Sequence, residues 1–214
     1  MKSPEFITHG TISEKDAEKI KNEELLSSEL QSKIKLIDES IFPDKPLNVH
    51  LDKNTESGAE ASHHFDEKDS DNDKEHFYTV WEKGIQNKLD GKDNSEKEVL
   101  RIALREVRHR VQHDLNAQML NINDLKQFMV ENPKTLLEVY FSSPDYKKFI
   151  DYAINKSDND FDAMVVEDIA MKLLKGNYSD ENIKKIAGDV VKRSADVILD
   201  YLRKMEELKM EELK

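Results

Sequence analysis

The sequence predicts an all-α fold: an irregular multi-helix bundle with a detached N-terminal helix and an acidic disordered linker. Three observations predict it. Apolar residues recur at spacings of three and four over much of the chain, and no stretch sustains the period-2 alternation of a half-buried strand. Only 6 Gly and 5 Pro punctuate 214 residues. The apolar content is also uneven: residues 1–75 hold 17 large apolar side chains in 75, and residues 95–214 hold 46 in 120. The second stretch can bury a core by itself, whereas the first cannot offset its own ordering entropy. The expected organisation is a helical arm over 1–46, an acidic disordered linker over 47–75, and an all-α domain over 76–214 with a long C-terminal helix.

The arm is read as one helix over about 13–40. Ser13 can cap it, and Glu14, Asp16 and Glu18 suit the positive helix start. Leu26, Leu30, Ile34 and Ile37 then form a narrow apolar stripe that must dock on the main domain or on another chain. Pro43 and Pro46 stop it. Residues 47–75 are polar, small or charged and carry the acidic run Asp69–Asp73, hence the expected disorder.

From there the signal is read as helical throughout. A helix over about 75–89 gathers Phe77, Val80, Trp81, Ile85 and Leu89, and Asp90-Gly91 breaks it. Asn94 or Ser95 caps a long helix to about 120, with Leu100, Leu104, Val107, Val111 and Leu115 along one stripe. Asn132-Pro133 and Ser143-Pro144 mark further helix starts. A helix over 160–175 is stopped by Gly176, and Ser179 caps a last one that runs toward the C-terminus, presenting Val197 and Tyr201.

Composition narrows the chemistry. With no Cys there is no disulfide scaffold, Cys-ligated zinc, iron–sulfur cluster or thiol nucleophile. No apolar run approaches the roughly 20 residues of a membrane span, and the start lacks a secretory core, so the default compartment is the cytoplasm. The formal charge of -12, from 33 Lys+Arg against 45 Asp+Glu, works against general binding of phosphate backbones. Two Asp-rich runs, Asp69–Asp73 and Asp158–Asp162, place acids at positions one, three and five of a calcium loop. Both lack the Gly at position six and the Glu at position twelve. His63, His64 and His76 match no defined ligand spacing, and no metal or cofactor is expected.

One segment stands out within this acidic chain. Leu104–Leu115 contains Arg105, Arg108, His109, Arg110 and His113. Its plain reading is a solvated cationic face beside the Leu/Val stripe. Arg108-His109-Arg110-Val111-Gln112-His113 also resembles the motif of the HEPN superfamily of helical ribonucleases, an Arg, a polar residue, several others and a His. That resemblance implies metal-independent cleavage through the RNA's own 2′-hydroxyl. Arg108 would then stabilise the phosphate, His113 would shuttle protons and His109 would stand at the polar support position. Five residues along a helix set Arg108 and His113 about 140° apart, so a helix break or a second subunit must bring them together. Glu106–Val111 in turn resembles the phosphoacceptor helix of one histidine-kinase class, which implies a phosphotransfer module with His109 as acceptor. Each likeness spans about a dozen residues or fewer.

The leading expectation is a non-enzymatic helical protein-interaction module, an adaptor, regulator or effector. Its partner would be another protein, a basic one by charge complementarity, or a second copy of the chain. Leu26, Leu30, Ile34, Ile37, Val197 and Tyr201 are the expected contact residues. The ribonuclease, with RNA as substrate, and the phosphotransfer module are the alternatives.

Overall fold

A 28-residue helix, α1 (Glu14–Ile41), opens the described part of the molecule. The structure, a computed structural model, describes residues 14–53, 59–65, 76–89, 95–115, 118–120, 123, 127 and 158–200. The stripe read from the sequence is real, and it faces inward. Leu30, Ile34 and Ile37 are fully buried, Ile41 nearly so, and Leu26 packs partly buried beside them. Their principal partner is α3 (Ser95–Asp114), the central helix of the fold. On its other side α3 packs against α4 (Asp158–Leu174).

α3 is central because its apolar surface is wider than one stripe. Val99, Leu100, Ile102, Ala103, Leu104, Val107 and Val111 are all buried, and they spread over about 200° of the helix circumference. A helix with such a surface must be covered on more than one side. α4 supplies Phe161, Val165, Val166, Ile169 and Ala170 to the same core and ends at Lys175 and Gly176, both at positive φ.

Three short strands complete the fold and correct the all-α expectation. β1 (Asn48–Asp52) pairs parallel with β3 (His76–Trp81), and β2 (Ala61–Phe65) pairs antiparallel with it, in the order β1-β3-β2. β1 and β2 lie inside the interval expected to be a disordered acidic linker, and β3 takes the first half of the expected helix over 75–89. Only its second half is helical, as α2 (Glu82–Leu89). The physical reason is non-local pairing. Phe77-Tyr-Thr-Val-Trp81 is an aromatic and β-branched run suited to a pleated surface. Tyr78 and Val80 point into the core while Phe77, Thr79 and Trp81 stay part-exposed. β1 and β2, five residues each, have too few apolar positions to announce themselves, and among the described residues both pair only with β3.

The N-terminal helix is likewise not detached: it packs on α3, α2 and β1. Gly84 of α2 permits a further close approach, since a Cβ there would lie 1.8 Å from the Ala59 carbonyl oxygen just before β2.

The expected long helix after Ser179 is interrupted. Ser179 stands at the N-cap of α5 (Asp180–Ile186), a π-helical turn follows over Ala187–Val191, and the chain turns before residues 195–200 resume the helix. The expectations for 128–157, the Asp69–Asp73 run and the C-terminal tail, Tyr201 included, lie outside the described residues.

Candidate functional site

α3 holds four arginines, Arg101 and the three of the cationic stretch, and the structure turns all four toward carboxylates of the chain itself. Arg108 is wholly buried. Its Nε and Nη2 donate to the two oxygens of Asp162 at 2.7 and 3.0 Å, and its Nη1 donates to the carbonyls of Val191 and Arg193. Asp162 also accepts from Gln112 Nε2 at 2.7 Å and from the Leu120 backbone N–H at 2.8 Å. This network fastens α3 to α4, to the end of the π-helical turn and to residue 120. The carbonyls of Val191 and Arg193 are available to Arg108 because the helix opens there. A regular helix would have claimed the Val191 oxygen for itself.

Arg110 builds a second network on the opposite face. Positions two apart on a helix differ by about 200°, so a buried pair of this spacing demands cover on both sides. Arg110 Nη1 donates to both Asp38 oxygens at 2.7 and 2.6 Å, Nη2 donates to the Lys45 carbonyl and Nε to Asp114, and the guanidinium lies 3.9 Å over the Phe42 ring. Asp38 further accepts from the Tyr78 hydroxyl at 2.7 Å and the Leu47 N–H at 3.1 Å. Burial, with the Asp38 charge beside it, holds the Tyr78 phenol well above its usual range. α1, the turn after it and β3 are thereby joined to α3.

The other two arginines sit at the rim. Arg101 Nε donates to Glu167 at 2.6 Å, and Arg105 lies 3.5 Å from both Glu60 and Glu106. Burial pushes the Glu106 carboxyl up to about 7, against the pull of Arg105 and of the His63 backbone N–H that it accepts. Glu167 moves in the same direction for the same reason.

The residues singled out from the sequence are therefore not assembled into one site. α3 is unbroken from Ser95 to Asp114, so Arg108 and His113 keep their angular separation. Arg108 has each of its donor groups committed to protein oxygens, and a phosphate could reach it only by displacing Asp162. His113 is exposed, its ring centroid 5.7 Å from that of His63 on β2. His109 is part-buried, its Nδ1 3.1 Å from Gln112 Oε1 and its Nε2 3.7 Å from Asp160; burial lowers its pKa and favours the neutral ring. Of the expected contact residues, Leu30, Ile34 and Ile37 are enclosed by this chain, Leu26 is partly so, and Val197 is 42% exposed. Among the described residues no group of three or more His, Asp or Glu is arranged to hold a metal ion, and no helix is long and apolar enough to cross a membrane.

The plain reading of a solvated cationic face missed these networks, although a signal was present. Ile102 and Ala103 fall off the Leu/Val stripe. Arginines inside a helix that is apolar on several faces are placed to be buried and paired.

Compared with known proteins, the chain matches no family model, no curated protein and no solved structure.

Proposed function

We propose that this chain is a non-enzymatic protein-interaction module whose partner is another protein with a basic binding segment. One observation supports the reading most: the arginines of the densest cationic stretch of the sequence are spent on internal carboxylates, in the Arg108–Asp162 and Arg110–Asp38 pairs and in the Arg105–Glu60 pair at the rim. Arginines consumed in this way hold α3 between its neighbours and offer no anion-binding surface. The chain as a whole keeps a formal charge of -12, which steers basic partners and speeds their encounter.

The test uses three labelled peptides of equal length, one basic, one neutral and one acidic, together with a structured RNA in the presence of EDTA. The basic peptide is expected to bind with an affinity that falls as salt rises, and the RNA to remain intact. RNA cleavage abolished by His113→Ala would overturn the proposal, and so would equal binding of all three peptides.

A further inference from the structure

The buried network beside His109 settles which of its ring nitrogens carries the proton. Gln112 Nε2 donates to the Asn159 carbonyl at 2.9 Å and to Asp162 at 2.7 Å, and both of those partners accept. The other end of the Gln112 amide, Oε1, therefore faces His109 Nδ1 at 3.1 Å, which assigns the proton to Nδ1. In the neutral ring the lone pair is then on Nε2. Across the seam between α3 and the first turn of α4, Nε2 stands 3.7 Å from Asp160 Oδ1. Two acceptors thus face each other with no hydrogen between them. The His109 side chain is 19% exposed and that of Asp160 43%, so small ions can reach the gap.

We propose that His109, Asp160 and His113 hold a divalent transition-metal ion of the zinc, cobalt or nickel kind in this seam. A tetrahedral ion holds an imidazole nitrogen and a carboxylate oxygen about 3.3 Å apart, so the existing pair needs only a small closure. A ligating histidine commonly donates its other ring N–H to a fixed oxygen. Gln112 Oε1 is such an oxygen, held in place by Asp162 and the Asn159 carbonyl. His113 follows one turn along the unbroken helix, the i, i+4 spacing at which two histidines of one face share an ion. Its ring stands beside that of His63, with centroids 5.7 Å apart, and it is exposed, so rotation of its own side chain brings it over. Two ligands stand ready, the third turns in, and water takes the fourth position. Imidazoles with one carboxylate select such ions over calcium or magnesium. Arg105, one turn before His109, is a cation beside the site, but it is paired with Glu60 and Glu106 at 3.5 Å each. The bound ion fastens α4 to α3 from the solvent side, and the site is independent of the interaction reading.

The experiment titrates Zn²⁺ into the full chain, first freed of metal with EDTA and dialysed, and follows binding by calorimetry. The parent chain is expected to take up one ion. His109→Ala should weaken uptake about a hundredfold, Asp160→Asn and His113→Ala about tenfold each, and His63→Ala and His50→Ala less than about twofold. Asp160→Asn keeps the size of an exposed side chain. It should leave the unfolding midpoint in EDTA unchanged and lose most of the rise that Zn²⁺ gives the parent chain. Nitrogen NMR of the metal-free protein, at a pH where the ring is neutral, should show His109 as the Nδ1–H tautomer. An Nε2–H tautomer, no uptake of Zn²⁺, or uptake that His109→Ala leaves unchanged overturns the site. So does uptake lost in His63→Ala and kept in His109→Ala, which moves the ion to the His63–His113 pair on β2. None of these outcomes touches the peptide-binding test, so the two readings fail separately.

Discussion

Arg108 and Arg110 stand two residues apart on one helix and are held in different ways. Around Arg108 the charged pair is enclosed: the Arg108 and Asp162 side chains are both 0% exposed, and the remaining acceptors are the main-chain carbonyls of buried Val191 and of Arg193 in the turn that follows. Around Arg110 the network reaches outward, because Asp114 is 23% exposed and Lys45 lies in the surface turn after α1. Water can reach a carboxylate partner of Arg110, whereas the one carboxylate partner of Arg108 is shut away from it. An arginine buried on a helix is therefore not one energetic category: the cost of removing it depends on which of its partners solvent can reach.

The largest expected effect breaks the enclosed network. Arg108→Ala leaves Asp162 buried with an uncompensated charge, and it strands the carbonyl of buried Val191. It should destabilise the fold by about 3–5 kcal/mol, read as a fall in the denaturant midpoint. Arg108→Met combined with Asp162→Leu removes the charge and its partner together and should recover much of that loss. A single and a double replacement of equal cost would show that packing, and not charge, dominates this face.

Arg110→Ala should cost less, about 2–3 kcal/mol. Asp38 keeps the Tyr78 hydroxyl and the Leu47 N–H, and water can reach Asp114. If Arg110→Ala proves as damaging as Arg108→Ala in chemical denaturation, the proposed role of solvent access is wrong.

Glu106 sharpens the comparison, as a buried charge on the same helix whose compensation is incomplete. Its folded pKa of about 7 lies above the ordinary carboxyl value of 4.5. The stability it contributes as a neutral group is thus full below about 4.5 and lost as pH rises through about 7. The groups that face it are Arg105, the His63 N–H and Glu60. Glu106→Gln keeps the shape without the charge. It should change little at pH 4.5 and raise stability at pH 8 by on the order of 2 kcal/mol, flattening the profile between pH 5 and 7.5 relative to the parent chain. A variant less stable than the parent at pH 8 would mean that the Arg105 pair outweighs burial.

The parts of the fold legible in the sequence are those with local periodicity. The 3-4 spacing of Leu30, Ile34 and Ile37 located a helix and its buried side, and Leu100, Leu104, Val107 and Val111 located α3. Gly176 marked where α4 ends. The strands were hidden because two of them carry little apolar pattern of their own: Asn-Val-His-Leu-Asp offers only Val49 and Leu51, and Ala-Ser-His-His-Phe is no clearer. Their partner β3 lies tens of residues away from β1, and pairing across that distance leaves no local period. The break after α5 was hidden for a related reason, since it depends on an arginine 83 and 85 residues earlier taking two carbonyls.

By itself the sequence determined the positions of α1, α3 and α4, the acid excess of the chain and the absence of cysteine. Local periodicity and composition carry that information at short range. Only the tertiary structure decided that the apolar stripe of α1 belongs to the chain's own core, that the arginines of α3 turn to internal carboxylates, and that residues 48–52, 61–65 and 76–81 pair as one sheet. Each of these depends on which elements meet across the fold. An arginine on a helix reads the same in a sequence whether it faces water or a buried aspartate, and the partner that tells the two apart is remote along the chain.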